Sequence, residues 1–413
     1  MRALIAAGIV FAVVAASAGT YLSLTLLAPV PATTGTLRAV TVEPRTAVAF
    51  PVPFALATAV SVTGAEEFPG TVGEGGILHA TGGNEPRPIA SISKVVTALV
   101  VLSAKPLGEA DAGPTLTFAK SDNDLYDKYY LLGATIERMK IGSSMSERDA
   151  LAMMLLASAS NYAEAVSTWA FGSPAATRRA TDAWLAANGL ASTTIVEPTG
   201  IDPRNTSTPT DLIAIARLAM ANPAVAALVR TPQLDVPGIG TIHNRNPVLG
   251  ADGINGIKTG TLDEAGACLL YSAVIDVPGL DTPVTIVGIV LGSSDGAMAG
   301  SVARDTIATI RGGFHTVALV TTGQEVGDYL TQWDDTARVA ASKSATLLTW
   351  SDMPVTHTES IDPVVTARDG TGVGGMTFTA GTRTVTVPLE LSGAIDGPGG
   401  WWRLGHPREL LDR

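Results

Sequence analysis

Apolar residues follow three different patterns along this chain, and each pattern predicts a different kind of element. From Ala3 to Val30 they run without one charged residue, behind a lone Arg2. A membrane span needs about 20 mostly apolar residues and a signal-peptide core about 7–15, so this run is long enough to span. Residues 1–30 are expected to form a signal anchor, a transmembrane helix that exports the rest of the chain. Ala16-Ser17-Ala18 is a passable signal-peptidase site, which keeps cleaved secretion as the alternative, although Leu22, Leu24, Leu26 and Leu27 carry the run past it. Residues 31–48 are rich in Pro, Thr and Ala with neither helical nor strand period, the pattern of an extended linker.

Residues 49–312 mix helical and strand periods. Ile89 to Leu102 carries no charge except Lys94 and reads as a helix that is apolar on every side, hence buried. The segment 146–170 opens with Ser146 and Asp149 at cap spacing and runs on through Leu151, Met154 and Leu155. Residues 176–188 predict a helix closed by Asn188-Gly189, and Thr208-Pro209-Thr210-Asp211 starts another with proline at its first position. Strands are predicted over 254–261, 266–275 and 284–292, the first two joined by the turn Leu262-Asp263-Glu264-Ala265. Beyond about residue 315 short alternating runs appear, most clearly Met376–Thr379 and Thr384–Val387, with Ala345–Trp350 and Val364–Arg368 on the same scheme. That texture predicts a C-terminal all-β domain over 315–413, built as a small sandwich. Trp401 and Trp402 are expected to pack in a core or between domains rather than to contact a membrane.

Composition narrows function by exclusion. The chain has 27 Lys+Arg against 38 Asp+Glu, a net charge of −11 with no basic block, which argues against a nucleic-acid partner. Hydrophobic residues make up 46% and charged residues 16%, the reverse of a disordered chain. With Cys268 as the single cysteine, no intrachain disulfide or cysteine-based metal site is possible, which suits an exported protein that folds without disulfides. The histidines (His79, His243, His315, His357, His406) are dispersed, so a Ser-His-Asp hydrolase is disfavoured. Gly370 to Gly375 resembles a phosphate loop but opens onto a strand pattern and reads as a turn. Asp122, Asp124 and Asp127 lack the glycine and terminal glutamate of a calcium loop and read as a solvated turn. No metal or organic cofactor is expected.

Chemistry concentrates at Ser91-Ile92-Ser93-Lys94, at the head of the buried helix. Residues three apart share a helical face, and a serine at a helix N-terminus feels its positive end, which favours a developing alkoxide. A lysine in an apolar wall loses hydration, so its pKa falls and the neutral amine can accept a proton. Alone this pattern is weak, since any long helix can hold one with its lysine reaching to solvent. A second piece is Lys258-Thr259-Gly260-Thr261 on a predicted strand. Glycine there clears room for a ligand along the strand edge, and Lys258 attracts a carboxylate. Taken alone, this too reads as an ordinary hairpin strand.

In this order and at this separation the two motifs resemble those of penicillin-binding proteins and serine β-lactamases. Flanking residues resemble one branch, the low-molecular-mass penicillin-binding proteins of the serine-type D-alanyl-D-alanine carboxypeptidase family. Pro88-Ile89-Ala90-Ser91 is similar to its lead into the catalytic helix. Glu197-Pro198-Thr199-Gly200-Ile201-Asp202, Thr208 to Leu212, and Asn244-Arg245-Asn246 ahead of Gly253 to Lys258 are similar to its other conserved stretches. The likeness covers roughly 50–312, and the β-rich remainder resembles the second domain of many members. The family's middle motif, Ser-x-Asn, corresponds to Ser158-Ala159-Ser160, with Ser160 in place of Asn; the other register, Ala159-Ser160-Asn161, keeps Asn and loses the hydroxyl. A serine lacks the amide's paired donor and acceptor, so substrate orientation or turnover is expected to differ, with Asn161 a candidate for partial compensation.

The resemblance implies a fold and a reaction. The fold would be α/β, a penicillin-binding/β-lactamase-like antiparallel sheet edged by the Lys258 strand, with flanking helices and a helical subdomain holding Ser158. The catalytic residues would be Ser91, Lys94 and Ser158, with substrate held by Lys258, Thr259, Gly260 and Thr261. Ser91 would attack a peptidoglycan stem peptide ending in D-Ala-D-Ala, and β-lactam antibiotics would acylate it. Backbone N–H groups of Ser91 and Thr261 would form the oxyanion hole, and the field of Lys258 and Thr259 would help keep Lys94 neutral. The site would lie on the extracytoplasmic face of the bacterial cell membrane. A serine β-lactamase, a D,D-endopeptidase and a non-catalytic cell-wall-binding scaffold remain the alternatives.

Overall fold

The computed structural model describes residues 1–43, 45–68, 70–73 and 76–411; Pro44 in the expected linker and the last two residues of the expected C-terminal domain lie outside them. The chain divides into two compact units, one of Ala47–Phe314 and one that joins Met1–Thr46 to His315–Arg413.

In the larger unit five strands form one antiparallel sheet in the order Ile254–Leu262, Gly266–Ile275, Val284–Ser293, Ala57–Thr63, His79–Thr81. The three late strands fall where the apolar runs place them. Their first turn closes with the Ala265 N–H donating to the Leu262 carbonyl at 3.0 Å. Ala57–Thr63 escapes a search for alternation because all of it except Thr63 is buried or half-buried, with small and polar residues on both faces. The Ile254–Leu262 strand lies at the sheet's edge, and its register sets Lys258 opposite Leu270 and Gly260 opposite Cys268.

The apolar run after Pro88 forms a 3-10 turn, Ala90–Ile92, followed by the helix Ser93–Ala104, which is buried from Ser93 through Leu102. Around it pack the helices Glu147–Leu155, Ser160–Phe171, Pro174–Ala187 and Pro209–Ala221. The predicted continuous segment 146–170 is therefore two helices. Ser146 caps the first, its Oγ accepting the Asp149 N–H at 3.0 Å. The chain then breaks at Ser158, which takes the left-handed φ of +64°. For a non-glycine residue that conformation costs roughly 1–3 kcal/mol and persists only where surrounding contacts hold it. The expected turn at Asp122–Asp127 lies instead on the helix Lys120–Leu131, where Asp122 caps the Ala119 N–H at 2.7 Å and Asp124 pairs with Lys120.

The smaller unit holds a six-stranded sheet in the order Thr36–Leu37, Glu325–Leu330, Thr336–Ala341, Arg383–Ser392, Gly372–Ala380, Thr356–Ile361, and a pair, Phe314–Val320 with Ala345–Trp350. Tyr329, Val339, Met376, Phe378, Val387 and Leu389 form its core. The expected strand Val364–Arg368 reduces to isolated bridges at Val364 and Ala367, because Pro363 offers no donor and Asp369-Gly370 turns the chain. Within 31–48, Thr33 bridges Val364 and Thr36–Leu37 pairs with Glu325–Leu330, while Leu37, Val40 and Val42 lean on the core. A Pro/Thr-rich extended segment suits a linker and an edge strand equally, and an open sheet edge decides between them. Residues 400–411 form two short helices, Gly400–Gly405 and Pro407–Leu411. Trp402 packs as expected, stacked on His406 at 4.5 Å, but Trp401 is 90% exposed. The helix Arg2–Leu26 is long and apolar enough to cross a membrane.

Candidate active site

Ser91 sits on the 3-10 turn and Lys94 one turn on, at the start of the α-helix. In a 3-10 turn residues three apart eclipse, which brings the side chains together more directly than an α-helix would. Lys94 Nζ donates to Ser91 Oγ at 2.9 Å and to the Thr199 carbonyl at 2.6 Å. Lys94 is 1% exposed, and burial pulls its pKa down from 10.5 to about 7; the Glu197 carboxylate pulls the other way and the Arg245 cation adds to the lowering. An amine with that pKa is largely neutral just above pH 7 and can take a proton from the serine hydroxyl it touches.

The break between two helices aims Ser158 at the opposite strand, where Lys258 Nζ donates to Ser158 Oγ at 2.9 Å. Lys258 is buried, and its pKa is held well below the ordinary ammonium value by burial first, then by the charges of Lys94 and Arg245.

Gly260 locks the strand against the serine turn. A Cβ there would stand 2.9 Å from the Ser91 backbone nitrogen and 3.1 Å from the Ile89 carbonyl. Gly200, at φ +83°, approaches from the other side, where a Cβ would fall 1.9 Å from the Ala90 carbonyl oxygen. Ala90 itself is left-handed at φ +46°. The serine turn is thus clamped between two glycines.

Ser91, Lys94, Ser158, Lys258 and Gly260 therefore lie close together, with Thr259 and the exposed Thr261 continuing along the same edge strand. Ser160 begins the next helix, its N–H donating to the Thr135 carbonyl at 2.8 Å. Asn161 cannot compensate for the missing amide: it is fully buried and turned to backbone, Nδ2 donating to the Glu137 carbonyl at 2.7 Å and Oδ1 accepting the Glu137 N–H at 3.2 Å.

Three contributors were not singled out from sequence. The Glu197 carboxylate accepts from the Thr199 N–H at 2.7 Å, Thr199 Oγ1 at 2.6 Å, the Gly200 N–H at 2.6 Å and Asn205 Nδ2 at 3.1 Å. It thereby fixes the loop whose Thr199 carbonyl holds Lys94, and acts as a positioning residue. Thr199 enters through its backbone, which no side-chain pattern reveals. Arg245 is exposed and biases both lysines; Asn244 and Asn246 on either side pin its loop, Asn246 Nδ2 donating to the Gly256 carbonyl at 3.2 Å. The signal for Arg245 is a lone charge between two amide residues, Asn244 and Asn246.

Comparison with known proteins bears on the family and the fold. The family model described as D-alanyl-D-alanine carboxypeptidase matches residues 72–291. Over 214 residues the chain is 30% identical to a D-alanyl-D-alanine endopeptidase of Pseudomonas aeruginosa, and over 213 residues 30% identical to one of Escherichia coli. Each match covers 49% of this chain, and the chain spans just under two thirds of those relatives, 64% and 63% of their length. The crystal structure of a D-alanyl-D-alanine carboxypeptidase from Francisella tularensis shares the fold at TM-score 0.57 and 17% identity, over 86% of this chain and 97% of that one.

Proposed function

The chain belongs to the D-alanyl-D-alanine carboxypeptidase family, and on that premise we propose that it removes the terminal D-Ala from peptidoglycan stem peptides through a Ser91 acyl-enzyme. The observation that carries this reading is the double contact of Lys94 with Ser91 and Lys258 with Ser158, both at 2.9 Å, beside an open sheet edge.

A stem peptide ending in D-Ala-D-Ala lies along the edge strand as an added strand, and its terminal carboxylate is drawn by Lys258, Thr259 and the nearby Arg245. Neutral Lys94 takes the Ser91 proton as Oγ attacks the carbonyl carbon between the two D-Ala residues. The resulting oxyanion points at the backbone N–H groups of Ser91 and Thr261; one such donor contributes about 3–4 kcal/mol to lowering a barrier of this kind. The C–N bond then breaks while a proton passes through Ser158 to the departing amine. Water attacks the ester, returns a proton to Ser91 Oγ and frees the shortened peptide. The carboxylate's charge favours the charged form of Lys258, and that charge keeps Lys94 neutral. A β-lactam offers a comparable amide and carboxylate and acylates the same oxygen. The apolar helix Arg2–Leu26 holds this chemistry at the extracytoplasmic face of the membrane.

A second reading, cleavage of crosslinks between stem peptides, is favoured by the 30% identical relatives named as endopeptidases. One experiment addresses both. Wild type and Ser91→Ala are incubated with a fluorescent penicillin, with a D-Ala-D-Ala peptide and with a crosslinked dimer. Labelling and free D-Ala in wild type alone support the carboxypeptidase; monomer from the dimer without free D-Ala supports the endopeptidase. Fast turnover of a chromogenic cephalosporin would point to a β-lactamase. Equal labelling and product in both proteins would remove Ser91 from the mechanism, and none in either would leave a wall-binding scaffold.

A further inference from the structure

Beside the loop that holds Lys94 lies a cavity of about 470 Å³ that the proposed reaction does not use. One wall is that loop, from Ile195 to Pro203, and the others come from the helices Lys120–Leu131, Ser160–Phe171 and Pro174–Ala187. Lys94 and Thr97 reach the loop from the catalytic helix, at the Thr199 and Pro198 carbonyls, 2.6 and 2.8 Å away. Neither lines the cavity, and nor do Ser91, Ser158 or Lys258. The loop thus serves Lys94 with its carbonyls and walls a separate space as well.

The volume falls in the range of small-molecule sites, which are mostly apolar with a few placed polar groups. Ile195, Val196, Pro198 and Ile201 supply apolar wall. The polar groups are charged, and their pairing leaves one charge unmatched. Lys128 pairs with Glu164, Arg178 with Asp182, and Arg204 with Asp202. Glu197 has no ion-pair partner among the described residues, since its oxygens accept from neutral N–H and O–H groups. Glu164 gives one oxygen, Oε2, to both Lys128 and Tyr129, and no donor among the described residues reaches the other. Its side chain is only 13% exposed. A carboxylate oxygen so enclosed is costly to leave without a donor, and the unmatched charge on the same wall is negative. The complementary occupant is a compact cation that donates hydrogen bonds and carries an apolar body.

We propose that this cavity is a ligand site in its own right, taking a primary ammonium on a short apolar chain, with the ammonium on Glu164 Oε1 and the chain against Ile195 and Ile201, and that its occupant raises the reactivity of Ser91. The link runs through Glu197. Its carboxylate favours the charged form of Lys94, and a bound cation offsets that field, which leaves more of the amine neutral. The link, unlike the binding, rests on the acylation of Ser91 proposed above.

The test titrates the full chain in detergent with n-butylamine, n-butanol and butyrate, followed by saturation-transfer NMR, and repeats this with Glu164→Gln and Thr181→Phe. Glu164→Gln removes the charge, while Thr181→Phe fills the cavity from a different helix. Wild type should bind butylamine about tenfold more tightly than butanol, the scale of one charge-assisted hydrogen bond. Glu164→Gln should lose that preference, and Thr181→Phe should lose binding of all three probes. Saturating butylamine should speed labelling by fluorescent penicillin about threefold at pH 6 and leave it unchanged at pH 8, where Lys94 is already mostly neutral. Equal affinity for the three probes, tighter binding of butyrate, or binding that Thr181→Phe leaves intact would overturn the site. Slower labelling at both pH values would overturn it too, by placing the amine beside Ser91. An unchanged rate with the site filled would overturn the link alone. Absence of labelling in the wild type would remove the peptidase reading and the link with it, and leave the site to the binding data.

Discussion

Lys94 offers the sharpest quantitative test, because its surroundings set the pH at which it can act. Burial lowers its pKa from 10.5 to about 7. At about 1.4 kcal/mol per unit, that shift corresponds to a net cost of about 5 kcal/mol for the charged amine, burial, Glu197 and Arg245 taken together. The neutral fraction is then about one tenth at pH 6 and about nine tenths at pH 8. The second-order rate of Ser91 acylation by a fluorescent penicillin should climb about tenfold between those values and flatten above pH 8. A lysine with its ordinary pKa would instead give a rise of about a hundredfold over the same interval, continuing towards pH 10. Glu197 raises the Lys94 pKa and holds the Thr199 carbonyl that receives its proton. Glu197→Gln should therefore move the midpoint to lower pH and reduce the plateau. The same shift has a stability signature. Because the folded pKa is depressed, the cost of burying this amine is complete below pH 7 and fades as pH rises towards 10.5. Lys94→Met should end acylation yet raise Tm, by most below pH 7 and by progressively less above it. A rate still rising log-linearly at pH 9, or a midpoint that Glu197→Gln leaves in place, would refute the reasoning.

Three further outcomes follow from individual contacts. Ser158→Ala removes the hydroxyl on Lys258 and should lower D-Ala release by about 10²–10⁴, whereas Ser160→Asn should retain labelling; equal loss in both variants, read by product chromatography, would count against Ser158 as the relay. Gly260→Ala forces a Cβ to within 2.9 Å of the Ser91 nitrogen, so the serine turn must shift, with about 1–3 kcal/mol of stability lost and labelling sharply reduced. Glu147 is fully buried, neither carboxylate oxygen has a hydrogen-bond partner, and burial raises its pKa to about 7. The folded state keeps this proton to higher pH than the unfolded chain, so stability falls as pH rises from about 4.5 to about 7. Glu147→Gln should gain about 1–3 kcal/mol above pH 7 and little at pH 4 in urea unfolding.

Much of the chemistry was legible in residue order because it is local. Ser91 and Lys94 are three apart on one turn, and any helical or 3-10 geometry brings them together. The late strands were legible because hydrophobic runs bounded by turn residues admit few other conformations. Ala57–Thr63 was not, since a strand with small and polar residues on both of its covered faces has no apolar alternation to show.

What the sequence by itself determined is therefore the set of candidate groups and the strand and helix that carry them. Only the tertiary structure decided which serine of the middle motif faces the cleft, because a backbone break at Ser158 points its hydroxyl at a lysine 100 residues away while Asn161 is spent on the Glu137 backbone. It also decided the protonation of Lys94, since a pKa depends on what surrounds the amine in space: Glu197 and Thr199 reach it from one loop and Arg245 from another. The same holds for residues 33–42 and 400–411, whose local sequence allows several conformations and whose partners, a sheet edge and the end of an apolar helix, come from far along the chain.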